Sequence, residues 1–324
     1  MSFLDDKSIL ITGGTGSFGK KFTRAVLDRT NARRVIVFSR DELKQYEMQQ
    51  SYPGERRLRF FLGDVRDRDR LYRALDGIDA VVHAAALKQV PAAEYNPFEA
   101  VKTNIQGAQN VIDACVDRGV KRVVALSTDK ASSPINLYGA TKLVSDKLFV
   151  QGNSYAGSKG TRFAVVRYGN VVGSRGSVVP FFLERAKTGV LPITDERMTR
   201  FFITLDQGVE FVLSSLERMV GGELFVPKIP SMRVTELAKA IAPDARIEVV
   251  GIRPGEKLHE EMISVDDARR TIDVGDRYVI QPEFGWWTSQ HLSGDGVPEG
   301  FAYTSDRNDD WLSVEQLRAM LTDG

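Results

Sequence analysis

The chain has 324 residues, 42% hydrophobic and 27% charged, enough for two packed domains of ordinary globular composition. Its 44 basic and 43 acidic residues leave a net charge of +1, so no basic field recommends nucleic acid or an anionic membrane as partner. The single cysteine, Cys115, excludes an internal disulfide framework and suits a reducing compartment. The opening residues MSFLDDKSILITGG lack a basic region followed by a long apolar stretch, so they do not read as a signal peptide. No run approaches the roughly 18 apolar residues that a bilayer span requires, and a cytoplasmic location is expected.

Taken from the N-terminus, Ser8–Thr12, Arg34–Ser39, Leu58–Leu62, Ala80–His83, 122–127 and 163–167 read as buried strands. Helical patterns lie between them at 20–28, 42–50, 69–75, 98–118 and 138–149. This alternation predicts an α/β fold, a Rossmann-like doubly wound parallel sheet with right-handed crossovers. From about Asn170, residues such as Gly173, Pro180, Gly189, Pro192 and Pro230 break the chain into short elements. A smaller α/β substrate-binding domain is expected there. The division expected is 1–169 for the nucleotide-binding domain, with a return of the chain at about 200–228, and 170–324 mainly for the substrate-binding domain. The stretch 285–300 reads as an irregular lobe in which Trp286 and Trp287 pack, followed by a helix at 313–321.

Gly13, Gly16 and Gly19 follow the first strand and open the first helix, with Thr15, Ser17 and Phe18 between them. Glycines so placed permit a tight turn, let backbone N–H groups approach a pyrophosphate and let the helix pack closely. The Gly-x-x-Gly-x-x-Gly spacing points to the short-chain dehydrogenase branch of dinucleotide-binding folds. The second strand ends Ser39-Arg40-Asp41. An acid at that tip accepts ribose hydroxyls in NAD enzymes, whereas Arg accommodates a 2′-phosphate. Arg40, with Ser39 and Lys44, therefore predicts NADP, although a shift of one residue would put Asp41 there and favour NAD. Asp64 and Val65, after the third strand, are placed for the adenine. Ala84, Ala85 and Ala86 give a small-residue wall beside the cofactor.

Tyr138 and Lys142 form a Tyr-x-x-x-Lys pair, one helical face apart. A nearby cation favours tyrosinate, which can take a hydroxyl proton while hydride leaves for a nicotinamide. Ser127-Thr128 ends the preceding strand. The segment Ala125-Leu-Ser-Thr-Asp-Lys-Ala131, with Tyr138-Gly-Ala-Thr-Lys142, resembles the nucleotide-sugar 4,6-dehydratases. Within them it is most similar to the inverting UDP-N-acetylglucosamine 4,6-dehydratases that begin pseudaminic acid biosynthesis. The similarity extends through Ala85–Pro91, Arg167–Val171, Arg253–Lys257 and Trp311–Glu315. Retaining members carry Thr-Asp-Glu, and here Lys130 replaces the Glu. The resemblance implies an NADP-dependent hydro-lyase with NADP⁺ tightly bound and regenerated each turnover. Thr128, Tyr138 and Lys142 would serve oxidation at C4, Lys130 would remove the C5 proton, and Asp129 would protonate the departing 6-hydroxyl. It also implies inversion at C5 and a homo-oligomer. An amine works as a base only if burial or a neighbouring cation depresses its pKa, and a closed pocket beside a cationic nicotinamide would supply both.

On the substrate side, Lys88 is placed to contact both cofactor and sugar, and Asn170 to hydrogen-bond a sugar diphosphate. Arg175-Gly176-Ser177-Val178 offers a guanidinium and backbone donors for phosphate. Arg253 and Glu256 have the composition of a diphosphate and ribose clamp. Thr199 and Arg200 are further candidates. His83 reads as structural, and His259 and His291 have no partners at metal spacing, so no metal is expected. Cys115 reads as core. A retaining dehydratase or a 4-epimerase shares Tyr138 and Lys142 but explains Asp129-Lys130 less well, and a non-catalytic NADP-binding regulator would not need the Tyr–Lys pair.

Overall fold

The computed structural model describes residues 3–174, 177–283 and 292–322. The first half alternates strands β1 (Ser8–Thr12), β2 (Arg34–Ser39), β3 (Leu58–Leu62), β4 (Ala80–His83), β5 (Arg122–Thr128) and β6 (Arg162–Tyr168) with helices. The helices are α1 (Ser17–Arg29), α2 (Glu42–Gln50), α3 (Arg68–Ala74), α4 (Val90–Tyr95), α5 (Pro97–Val101), α6 (Gly107–Arg118) and α7 (Leu137–Ala156). The second half carries β7 (Asn170–Val171), α8 (Val178–Ala186), β8 (Val190–Ile193), β9 (Thr199–Ile203), α9 (Leu205–Arg218) and β10 (Leu224–Pro227). It continues with β11 (Ser231–Arg233), α10 (Val234–Ile241), β12 (Arg246–Val249), β13 (Glu261–Ile263) and α11 (Val265–Ala268). Last come β14 (Thr271–Asp273), β15 (Arg277–Ile280), β16 (Asp295–Gly296), β17 (Tyr303–Thr304) and α12 (Val314–Thr322).

The main sheet runs β16-β14-β15-β10-β6-β5-β4-β1-β2-β3. From β3 to β10 every pairing is parallel, while β15, β14 and β16 add antiparallel. Every residue of β1 and β4 is buried, as strands covered on both faces require. The strand order reverses where β1 lies between β2 and β4, which opens a crevice beyond the carboxyl ends of those strands. The architecture is therefore the Rossmann-like doubly wound sheet.

Helix α4 is not among the helices expected from the sequence, and two of the expected helices differ in extent. The helix expected over 98–118 is interrupted by a wide turn at Lys102–Gln106. There Asn104 leaves the helical pattern to serve the loop after β4, accepting from the Leu87 amide at 2.8 Å and donating to the Leu87 carbonyl at 2.9 Å. Helix α7 runs a further two turns past 149, because buried Asn153 both accepts from and donates to the Phe163 backbone at 3.0 Å.

A second lobe has its own core of Val179, Phe182, Leu191, Phe202, Met232, Leu237 and Leu317, covered by α8, α10 and α12. The chain boundary at 169/170 does not separate two contiguous halves. Helix α9 and β10 return to the main sheet within 200–228, and the sheet then takes β15, β14 and β16 from further on. Trp286, Trp287 and His291 lie outside the described residues. Among the described residues no helix is long and apolar enough to cross a membrane.

Candidate active site

A cleft of about 1410 Å³ lies at the reversal of strand order, between the main sheet and the second lobe. Gly13 sits at φ +66°, and a Cβ there would come within 2.9 Å of the Ala85 nitrogen. At Gly19 a Cβ would lie 2.5 Å from the Gly14 carbonyl oxygen, so glycine lets α1 seat against the turn. Helix α1 has no side-chain cap and no acidic residue in its first turn, which leaves its positive end for an anion. Thr15, Gly16, Ser17 and Phe18 line the cleft beside it, as do Ala84, Ala85 and Ala86 opposite. Thr12 ties the two walls together: its hydroxyl oxygen accepts from the Ala84 and Ala85 amides at 3.2 Å and lies 2.9 Å from His83 Nδ1. Burial, and then the charge of Lys142, pushes His83 down to about 3, so the imidazole is neutral. Because the Thr12 oxygen already accepts from two amides, its hydroxyl is left to donate to Nδ1.

At the β2 tip, the Asp41 carboxylate accepts from the Lys44 amide at 3.0 Å as the cap of α2 and ion-pairs with the Lys44 ammonium. Asp41 is thereby occupied by its own helix. Arg40 remains half exposed in the cleft wall, 3.6 Å from Asp64 Oδ2, which Arg66 also holds at 2.7 Å. Burial alone would raise the Asp64 pKa, but the two guanidinium groups outweigh it and keep the carboxylate ionised. Gln45 fixes this end by donating to the Ser39 carbonyl, the Ser39 hydroxyl and the Phe61 carbonyl, each at 3.0 Å. Ser39 and Val65 also line the cleft.

Strand β5 ends at Thr128 and turns through one short 3₁₀ turn, Asp129–Ala131. Helix α7 begins under it, capped by Asn136, whose side chain accepts from the Gly139 amide at 2.8 Å. The approach is so close that a Cβ on Gly139 would lie 2.1 Å from the Lys130 carbonyl oxygen. Lys130 Nζ then stands 3.1 Å from Asp129 Oδ1 and 3.0 Å from Glu260 Oε1. The Thr128 hydroxyl donates to Asp129 Oδ1 at 2.9 Å. Thr128, Lys130, Tyr138 and Lys142 line the cleft together with Glu260. Asp129 does not: it is fully buried behind Thr128 and Lys130, and its Oδ2 has no hydrogen-bond partner among the described residues.

The electrostatics correct two expectations. Burial disfavours a charged Lys130, but Asp129 and Glu260 outweigh it and hold the amine above its ordinary value, so the resting group is an ammonium. Burial is also the main cause that raises Asp129, only partly countered by Lys130. Glu260 is held low despite burial, by Lys130 and Arg200. The second correction concerns the Tyr–Lys pair. Lys142 donates to the Leu126 carbonyl at 2.7 Å, and the cation acting on the Tyr138 phenol is Lys130. Burial pushes that phenol up to about 12 against the opposing effects of Lys130 and a hydrogen bond with Thr128.

On the other wall, Lys88, Asn170, Ser177, Val178, Arg253 and Glu256 line the cleft. Burial, then the charge of Lys130, lowers the Lys88 amine. Ser177 stands at the N-terminal end of α8 without a side-chain capping bond, and its buried hydroxyl has no hydrogen-bond partner among the described residues. Arg175 and Gly176 lie outside the described residues. Arg253 Nη1 is 3.9 Å from Glu256 Oε1. Thr199 is not in the cleft wall, because successive residues of β9 face opposite ways. Its hydroxyl bonds Ser305 at 2.7 Å and His259 Nδ1 at 2.8 Å, while Arg200 faces the cleft. The 253–257 loop is latched to the catalytic turn through Lys257 Nζ, which donates to the Ser132 carbonyl at 2.6 Å.

Glu260, Gly139, Asn136 and Gln45 escape a reading of the sequence. In Lys257-Leu-His-Glu-Glu261 a glutamate pair beside basic residues looks like surface charge. Gly139, by contrast, stands inside the Tyr–Lys motif, and a glycine within a helix is itself a signal of close packing.

A model of the polysaccharide biosynthesis protein family matches residues 9–282. The chain is 56% identical over 321 residues to the inverting UDP-N-acetylglucosamine 4,6-dehydratase of Campylobacter jejuni, covering 96% of each. Among solved structures, Pen from Bacillus thuringiensis superposes with a TM-score of 0.91 at 37% identity, over 99% of this chain and 100% of that one. The dTDP-glucose 4,6-dehydratase DesIV of Streptomyces venezuelae, solved with NAD and TYD bound, gives a TM-score of 0.70 at 28% identity, over 78% of this chain and 86% of that one.

Proposed function

The chain belongs to the polysaccharide biosynthesis protein family, and from that membership we propose that it is a nicotinamide-dependent nucleotide-sugar 4,6-dehydratase. It converts UDP-N-acetylglucosamine, with inversion at C5, to UDP-2-acetamido-2,6-dideoxy-β-L-arabino-hex-4-ulose. The observation that carries this reading is Lys130, set in the cleft wall between buried Asp129 and Glu260 and acting on Tyr138.

The α1 N-terminus, free of acidic residues, and the glycine turn suit a dinucleotide pyrophosphate. Arg40 at the β2 tip supports NADP over NAD, since Asp41 is committed to capping α2 and to Lys44. Bound there, NADP⁺ would take hydride from C4 of the sugar and return it to C6, so no external reductant is consumed. The Ser177 hydroxyl at the α8 N-terminus, which has no partner among the described residues, suits with Asn170, Arg253 and Glu256 the nucleoside diphosphate of the substrate.

Once ionised to tyrosinate, the form that the charge of Lys130 favours against burial, Tyr138 takes the proton of the C4 hydroxyl. A ketone at C4 then acidifies the C5 hydrogen. Lys130 passes one proton to Asp129 across their 3.1 Å contact and, now neutral, removes the C5 proton. Protonated Asp129 no longer accepts from Thr128 but donates to it across 2.9 Å. The Thr128 hydroxyl is thus released to protonate the departing 6-hydroxyl, which leaves as water. A 4-epimerase needs neither an amine nor an acid at this position, which favours dehydration.

Incubation with UDP-N-acetylglucosamine tests the reading. A 4-keto product that absorbs in the near ultraviolet in alkali is expected. A sugar epimerised only at C4, or one returned unchanged, overturns it.

A further inference from the structure

Glu260 belongs to the second lobe yet stands at the catalytic turn of the first. Its backbone is pinned on both sides by Ser305: the Glu260 amide donates to Ser305 Oγ at 2.9 Å, and its carbonyl accepts from the Ser305 amide at 2.8 Å. The side chain is 2% exposed and faces the cleft. Oε1 lies 3.0 Å from Lys130 Nζ and 3.7 Å from Arg200 Nε, while Oε2 has no hydrogen-bond partner among the described residues. One amine therefore sits between two buried acids at nearly equal distances.

Dehydration needs a neutral amine and a protonated acid, so one proton must pass from Lys130 to one of the two carboxylates. Their surroundings differ. Glu260 is faced by Arg200 from β9 and by Lys257 from its own segment, besides Lys130. Asp129 is faced by Lys130, by the Thr128 hydroxyl and by the like charge of Glu260. Tyr138 of α7 and Lys88 from the loop after β4 also face Lys130. Two neighbouring carboxylates whose environments differ in this way separate into one that stays charged and one that accepts a proton.

We propose that Glu260 is a positioning residue for the dehydration step: it holds the Lys130 amine against Asp129 and, remaining ionised beside Arg200, directs the transferred proton to Asp129. The inference rests on the dehydratase reading of the same site. The transfer breaks one N–H bond of Lys130 and forms one O–H bond on Asp129 Oδ1, with no redox change and no proton gained or lost by Glu260.

The test is the pH profile of kcat at saturating UDP-N-acetylglucosamine for the wild type, Glu260→Gln and Arg200→Gln. Removing the Glu260 charge lowers the proton affinity of both Asp129 and Lys130. Both limbs of the Glu260→Gln profile should therefore move to lower pH by about one unit, with the whole bell displaced in one direction. Removing the Arg200 charge should displace both limbs the opposite way. A merely structural role would lower kcat without moving the limbs, and unmoved limbs in Glu260→Gln overturn the inference. Should Glu260→Gln fail to fold, Arg200→Gln decides alone: an upward shift supports the inference and an unmoved profile overturns it. A wild type that makes no 4-keto product sinks the dehydratase reading and this inference together, whereas a productive wild type with unmoved variants sinks only this inference.

Discussion

Asn136 and Gly255 join the two lobes at the catalytic helix: Asn136 Nδ2 donates to the Gly255 carbonyl at 2.8 Å, while its Oδ1 caps α7 through the Gly139 amide. One side chain thus sets the start of the helix that carries Tyr138 and anchors the loop that carries Arg253 and Glu256. Asn136→Ala should lose about 1 kcal/mol of stability with the cap. Because the loop is released as well, KM for the nucleotide sugar should rise more than kcat falls. Steady-state kinetics beside thermal unfolding will check this, and a KM equal to the wild type would contradict the latch.

Gly139 admits no side chain, since a Cβ would stand 2.1 Å from the Lys130 carbonyl oxygen. Gly139→Ala must push the catalytic turn and α7 apart. Dinucleotide binding through the glycine turn, which Gly139 does not touch, should persist, whereas turnover should fall by about 100-fold for a displacement near 1 Å. A fluorescence titration of the cofactor alongside kcat separates the two effects. Wild-type turnover in a folded Gly139→Ala variant would show that the contact carries no catalytic weight.

Arg40 is expected to carry the preference for the 2′-phosphate. Arg40→Ala should weaken NADP binding by about 10- to 100-fold, the scale of a charge-assisted hydrogen bond, with little change for NAD. Measured dissociation constants for both dinucleotides decide it, and an equal loss for NAD and NADP would refute the assignment.

His83 makes the fold sensitive to acid. Its folded pKa, about 3, lies below the ordinary value of 6.5, so the unfolded state binds more protons and stability rises with pH. The contribution is complete above pH 6.5 and is lost as pH falls towards 3, at up to about 1.4 kcal/mol per unit. His83→Asn, which keeps an acceptor for Thr12, should remove this dependence. Urea unfolding at pH 7 and pH 5 should then show the wild type losing about 2 kcal/mol more than the variant. Equal losses would contradict a buried neutral imidazole.

Much of the sheet is legible in the sequence because parallel strands covered on both faces, such as Ser8–Thr12 and Ala80–His83, are unbroken buried runs. The antiparallel extension is not. Strands of two to four residues, such as Asp295–Gly296 and Thr271–Asp273, are too short to carry a period. In the site, the glycine turn and Tyr138 with Lys142 are legible because their spacing is local. Glu260 is not, since its meaning comes from a distant segment folding onto Lys130. The charge of Lys130 is hidden for the same reason: sequence reasoning asks for a readily neutral amine, and two buried acids instead hold it as an ammonium.

Lys130 is the group proposed to remove the C5 proton during an inverting dehydration. Running the reaction in D2O with UDP-N-acetylglucosamine and reading the product by NMR tests it most directly. The wild type should place one deuterium at C5 with inverted configuration, and a folded Lys130→Ala variant should yield no dehydrated sugar. A product that keeps its original C5 hydrogen or configuration, or a Lys130→Ala variant that still dehydrates, would contradict the account.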